Sequence, residues 1–417
     1  MSRSKALAMA VVFGAMLAST TLADEGSQGH LKPFDDLMAE FVKTHEVPGA
    51  ALAITKDSRL VYAKGFGFAD REKQRPVEPH FLFRIASVSK PITATAVMQL
   101  VEKGKLELDA RVLEILEYEP HLAPDTKPDP RLKDITVRHL LLHSAGWDRG
   151  VTFSVMGIGG ARRIATALGV PQPPTQTDII RFMIGKPLQF SPGERSAYSN
   201  FGYVLLGRVI EAVTGQTYED YVKQNVLAPL GIKTMQIGRT AKEQLAPNEV
   251  HYGRDREIVA PFGPRKGERV KVPYARCVEN MDANGGWIAS AIDLARFAAS
   301  FDDPASCPIL QEKSIEAMFV RPEGRPGLDK KGRPRRRYYA LGWNVSPNEA
   351  GGITTSHGGG MEGTSTSLVR RHDGINWVIL FNAHGSPHAR GSLSGLIGKR
   401  LHKTADGITK WPDDDLF

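Results

Sequence analysis

Cysteine is nearly absent from this chain: its 417 residues hold only Cys277 and Cys307. One bridge between them would stabilise the fold by roughly 3–4 kcal/mol in the chain-entropy model. Two buried free thiols are the other reading, and composition leaves both open. Long apolar runs are absent beyond the first residues, so no later stretch is apolar enough to cross a bilayer. Runs of Lys and Arg interleaved with aromatics are missing too, which excludes a nucleic-acid groove; the net charge of +8 is modest for this length. There is no internal repeat, no low-complexity tract and no His-Glu-x-x-His, and the spacing of His384 and His388 predicts no metal site.

What is present is an ordinary globular composition, 41% apolar and 24% charged. Arg3 and Lys5, the apolar run from Ala6 to Leu17 and the small-residue site Thr21-Leu22-Ala23 read as a secretory signal peptide. The expectation is cleavage near Ala23 and a periplasmic or secreted protein starting at Asp24.

The pattern of elements points to an α+β fold. Phe34 to His45 reads as an amphipathic helix. Ala50 to Thr55 and Leu60 to Lys64 read as two strands across a polar turn. The middle is helical: Pro91–Lys103, Thr136–His143, Thr177–Ile184, Phe201–Val213, Tyr218–Val226, Asp293–Phe301 and Lys313–Phe319. Phe201–Val213 is apolar nearly all round, hence buried. Strands return at Tyr338–Val345, Gly352–His357, Thr364–Arg370 and Asn376–Phe381, and Ser392–Lys403 closes the chain as a helix. These predict an antiparallel sheet built from both chain ends and flanked by helices, with an inserted, mostly helical lobe. The expected division is residues 24–86 and 285–405 for the sheet lobe, 87–284 for the helical lobe and 406–417 for a tail. Arg149 to Thr175 reads as a Gly-, Pro- and Ala-rich loop able to cover a cleft. Arg325 to Arg337 reads as a basic surface loop, or as a loose contact for anionic envelope polymers.

Three short motifs carry chemistry. Ser87 and Lys90 lie one turn apart at a helix start, where backbone N–H groups and the helix dipole favour a developing oxyanion. Alone, Ser-x-x-Lys arises by chance in a chain this long, and Ser87 could be a cap with Lys90 solvated. Tyr198 and Asn200 stand two apart before the buried helix; the phenol could serve as a base and the amide could bind a substrate, or Asn200 could be a plain helix cap. A strand expected to end at His357 is followed by Gly358, Gly359 and Gly360, small enough for a substrate backbone to lie alongside. His143 reads as structural, satisfying backbone groups near a helix end.

In this order, Ser87-Val88-Ser89-Lys90, Tyr198-Ser199-Asn200 and His357-Gly358-Gly359 resemble the motifs of the penicillin-recognising serine hydrolases. That family includes class C β-lactamases, D-Ala-D-Ala carboxypeptidases, D-amino-acid peptidases and β-lactamase-fold esterases. ITVRHLLLHSAGW, PGERSAYSNFGYVLLGRVIEAVTGQTYEDYV, GGWIASAIDLARF and YYALGW are similar to the family's flanking segments, and the resemblance runs from about Phe34 to about Lys403. It implies Ser87 as acylated nucleophile, with Lys90 and Tyr198 sharing the proton traffic. Asn200, His357 and Gly359 would bind substrate, and the backbone N–H groups of Ser87 and Gly360 would form the oxyanion hole. No cofactor is implied. Relatives tuned to β-lactams often read Lys-Thr-Gly where this chain has His357-Gly358-Gly359. A conditional cation and a missing hydroxyl rank an ester or D-peptide substrate above a β-lactam-like one.

Overall fold

A computed structural model describes residues 29–151, 153–253 and 256–417. The expected signal peptide, residues 1–23, lies outside the residues described by this structure. Its largest feature is an eight-stranded antiparallel sheet ordered β3-β2-β1-β13-β12-β11-β10-β9. The strands are β1 (Gly49–Lys56), β2 (Arg59–Asp70), β3 (Arg75–Pro76), β9 (Tyr338–Tyr339), β10 (Asn344–Pro347), β11 (Ile353–Met361), β12 (Thr364–Arg370) and β13 (Ile375–Phe381). Five short strands intervene in sequence: β4 (Phe83–Arg84), β5 (Gln236–Ile237), β6 (Glu257–Val259), β7 (Arg269–Lys271) and β8 (Trp287–Ala289). The chain ends meet at the β1–β13 pair, from Ala50 opposite Phe381 to Lys56 opposite Ile375. Every residue of β13 is buried, as a central strand covered on both faces must be.

The outer face is covered by α1 (Lys32–Thr44), which packs Phe34, Met38 and Phe41 with Leu52, Ile54 and Ile379. The C-terminal helix α10 (Leu393–Asp406) adds Ile397 and Leu401 to the same layer. The inner face packs on the helical middle. Its helices are α2 (Ser89–Glu102), α3 (Val137–Leu141), α4 (Ile158–Leu168), α5 (Gln176–Ile184), α6 (Asn200–Thr214), α7 (Tyr218–Val222), α8 (Ala291–Ala299) and α9 (Glu312–Phe319). As its all-round apolarity requires, α6 is buried along Phe201–Gly207, and α2 is buried from Ser89 to Leu100.

Three expectations need correction. Arg149 to Thr175 is not all loop, since α4 forms within it; Ile164 and Ala165 supply its buried side. Tyr338–Val345 is not one strand. Gly342 takes φ +85 and sits where a Cβ would lie 2.5 Å from Ala94, so the chain bends between β9 and β10. Gly352–His357 is too short a span, because β11 continues through all three glycines to Met361. Of the two readings left open for the cysteines, the free one is found: Cys277 and Cys307 are free thiols. Burial pushes the Cys277 thiol up to about 12. The C-terminal residues lie against β2: Leu416 N–H donates to Leu60 O at 2.9 Å, and Trp411 packs on Phe34.

Candidate active site

Ser87 sits in a 3₁₀ turn, Ala86–Val88, immediately before α2. Strand pairing fixes the approach: Arg84 lies opposite Ile288, and Ile85 N–H donates to Trp287 O at 3.0 Å. Thr366 Oγ1 on β12 donates to Ile85 O at 2.9 Å, and Ser89 Oγ to Ala86 O at 2.7 Å. These bonds hold Ala86 at φ +48, a conformation that costs an L-residue on the order of 1–3 kcal/mol. The strain is placed directly before the nucleophile candidate.

Lys90 is fully buried, and its Nζ lies 3.1 Å from Ser87 Oγ, 2.9 Å from Asn200 Oδ1 and 2.6 Å from Asn284 O. No carboxylate contacts it among the described residues. Desolvation therefore dominates, with Arg149 adding repulsion, and the amine's pKa falls well below its ordinary value. An unpaired buried ion costs several kcal/mol, more than a hydrogen bond to a neutral acceptor returns. A neutral amine donates two hydrogens, which suit Asn200 Oδ1 and Asn284 O. Its lone pair is then left for the Ser87 hydroxyl.

Tyr198 Oη donates to Ser87 Oγ at 2.7 Å. Burial pushes this phenol up to about 12, so it is a proton donor near neutral pH. A lowered amine and a raised phenol thus both reach the one Ser87 hydroxyl. The tyrosine loop hangs on the segment after α3. Gly193 N–H donates to Ser144 O, Ala197 N–H to His143 O, and Ser199 N–H to His143 Nδ1 at 3.3 Å. Asn200 is the first residue of α6 rather than its cap.

His143 does serve backbone groups, but it does more than the sequence suggested. Its ring packs 4.3 Å from Tyr198 and 4.5 Å from Tyr339, and its backbone takes φ +56. Sequence spacing gave no sign of this contact. His357 is 2% exposed, with its ring 6.4 Å from that of Tyr198. Its Nδ1–H donates to Gly358 O at 2.8 Å, and Nε2 accepts from Tyr339 Oη at 3.1 Å. Burial and the nearby Lys90 push its pKa down to about 3. The conditional cation is therefore a neutral imidazole across the physiological range.

Pairing of β10 with β11 stops at Ser356, so the edge of β11 from His357 to Met361 has no strand partner among the described residues. Gly359 faces the nucleophile turn: a Cβ there would lie 2.3 Å from Ile85 O and 2.3 Å from Thr366 Oγ1. Gly360 faces the other way, where a Cβ would meet the His384 ring at 2.8 Å. His384 is another residue the sequence reading placed only in a loop. Hydrogen bonds thus join Ser87 to Lys90 and Tyr198 and Lys90 to Asn200, with the His357 ring beside Tyr198 and Gly359 against the nucleophile turn. Cys277 lies apart, lining a separate 680 Å³ cavity with Phe68, His251 and Tyr274.

The family model described as Beta-lactamase matches residues 34–400. Penicillin-binding protein 4* of Bacillus subtilis (strain 168) is 28% identical over 357 residues, 84% of this chain and 70% of that protein. Esterase EstB of Burkholderia gladioli is 33% identical over 278 residues, 63% of this chain and 67% of the esterase. Among solved structures, an octameric penicillin-binding protein homologue from Pyrococcus abyssi superposes with a TM-score of 0.66 at 28% identity. That match covers 91% of this chain and 79% of the other.

Proposed function

The chain belongs to the beta-lactamase family, and on that footing we propose that it is an exported serine hydrolase forming an acyl-enzyme on Ser87, most suited to esters or D-amino-acid amides. One observation carries the reading. A buried, carboxylate-free amine and a protonated phenol both lie within hydrogen-bond reach of one hydroxyl.

Each step follows from these groups. The Lys90 amine takes the Ser87 proton as Oγ attacks the substrate carbonyl. The resulting oxyanion lies between the backbone N–H groups of Ser87 and Gly360. Asn200 accepts from Lys90 through Oδ1, which turns Nδ2 toward the acyl-side carbonyl of a substrate extended along β11. Tyr198 gives its proton to the leaving oxygen or nitrogen as the C–O or C–N bond breaks, and the Lys90 ammonium then returns a proton to the phenolate, which leaves the amine free again. Water then repeats the sequence on the ester.

His357 favours esters and peptides over β-lactams, since a neutral ring offers no charge to a carboxylate beside the scissile bond. The test is hydrolysis of a short-chain nitrophenyl ester by the protein and by Ser87→Ala. Turnover abolished in the variant is expected. Turnover that survives the substitution would remove Ser87 from the chemistry. Absence of turnover in both, with no penicilloyl adduct by mass, would favour a non-catalytic envelope protein with this fold.

A further inference from the structure

A general acid must be held in place, and Tyr198 has no regular element to hold it. Residues 195–199 belong to neither helix nor strand. The segment hangs instead on the residues after α3. Ser196 Oγ donates to Leu142 O at 3.1 Å, Ala197 N–H to His143 O at 2.8 Å and Ser199 N–H to His143 Nδ1 at 3.3 Å. The residues on both sides of Tyr198 therefore bond to His143, one to its carbonyl and one to its ring. The Tyr198 ring itself packs 4.3 Å from that imidazole. The left-handed backbone of His143, φ +56, lets carbonyl and ring serve the same segment.

The bonding fixes the proton on the ring. A backbone N–H can only donate, so Nδ1 accepts and the hydrogen sits on Nε2. Nε2 has no hydrogen-bond partner among the described residues. The ring is buried, and desolvation, then Lys90, holds its pKa well below the ordinary histidine value. His143 makes no hydrogen bond to Ser87 or Lys90, so it has no route for moving a proton to either. What it does is grip: the same ring packs 4.5 Å from that of Tyr339, which donates to His357.

We propose that His143 is the positioning residue of the general acid, setting the Tyr198 phenol against Ser87 so that the departing atom leaves with a proton. This rests on the serine-hydrolase reading above. A phenol released from this grip would still sit near Ser87, but no longer beside the leaving atom when the bond breaks.

The need for that proton grows as the leaving group becomes more basic. The test compares 4-nitrophenyl acetate, whose anion departs unaided, with phenyl acetate, which has the same acyl group and a more basic leaving oxygen. The readout is kcat/KM, which reports acylation, for the full protein, His143→Ala, His143→Asn, Tyr198→Phe and His143→Ala/Tyr198→Phe. In His143→Ala the loss on phenyl acetate should exceed the loss on the nitrophenyl ester by about tenfold or more. Tyr198→Phe should show the same bias. Asparagine tolerates positive φ and keeps an acceptor for Ser199 N–H, so His143→Asn should recover part of it. The double variant should be no more biased than Tyr198→Phe, because a residue acting through the phenol then has nothing left to place. An equal loss on both esters in His143→Ala, or a bias in the double variant that multiplies those of the two single variants, would overturn the positioning role and leave Ser87 chemistry standing. Absence of any Ser87-dependent hydrolysis would overturn both.

Discussion

At the scale of single residues, the proposed function turns on the charge of Lys90. Asn200 holds its Nζ at 2.9 Å with a neutral oxygen. Asn200→Asp would put an anion there and favour the ammonium, raising the amine's pKa by roughly 1–3 units. A base works only when deprotonated, so the limb of the pH–rate profile that rises through the Lys90 pKa should move upward by that amount. Activity at neutral pH should fall at least about tenfold. It should return on the alkaline side, until Tyr198 ionises near its own value of about 12. A pH series of ester hydrolysis decides this; an unmoved limb would mean that Lys90 is not the base. These residues were legible from the chain because their spacings are local or match a family's motifs. His143 and His384 were not: each meets the cleft through a contact with a residue distant in sequence.

At the scale of elements, the three glycines of β11 are not equivalent. Gly359 faces Ile85 and Thr366, with no room for a methyl group, whereas a Cβ at Gly358 would meet nothing nearer than Thr366 O at 3.8 Å. Gly359→Ala should push the strand edge away from Ser87 and cut kcat/KM by roughly a hundredfold or more, the cost of a displacement near 1 Å. Gly358→Ala should stay within about threefold of the parent, with both variants showing parental circular dichroism. Equal effects would mean that the β11 edge does not position substrate. The sequence marked this stretch as small residues after a strand. It hid the continuation of the strand through them, because glycine weakens every strand signal and only pairing with Thr364–Leu368 reveals it. Helix α4 was hidden for a similar reason: Gly157, Gly159 and Gly160 crowd its start and mask its short apolar side.

At the scale of the whole molecule, two buried histidines tie stability to pH. His143 and His357 both have pKa values held below the ordinary histidine value, chiefly by burial. In the unfolded chain they take protons below about pH 6.5, while the folded protein refuses them. The unfolded state then binds more protons, so folding free energy falls as pH falls, by about 1.4 kcal/mol per unit for each histidine. For His357 this loss runs down to about pH 3. Urea unfolding at pH 7, 6 and 5 should show the slope, and His357→Gln should make it shallower by up to about 1.4 kcal/mol per pH unit. A slope unchanged in that variant would place the titration elsewhere. The sheet assembled from both chain ends was legible because strand patterns cluster at the two ends and helical periodicity fills the middle. The seating of the final residues along β2 was not, since Trp411 and Leu416 stand in a polar stretch without periodicity.

That closure has a consequence in time. Strand β1 is made early, but one of its two neighbours is β13, and Asn376 donates to Thr55 across 321 positions of sequence. A chain emerging from its N-terminus therefore holds three of the sheet's eight strands, with an apolar strand edge, until most of it has been synthesised. Such distant pairing makes for slow folding. For the exported serine hydrolase proposed above, the delay would keep the polypeptide threadable and Ser87 unassembled until the last strand arrives.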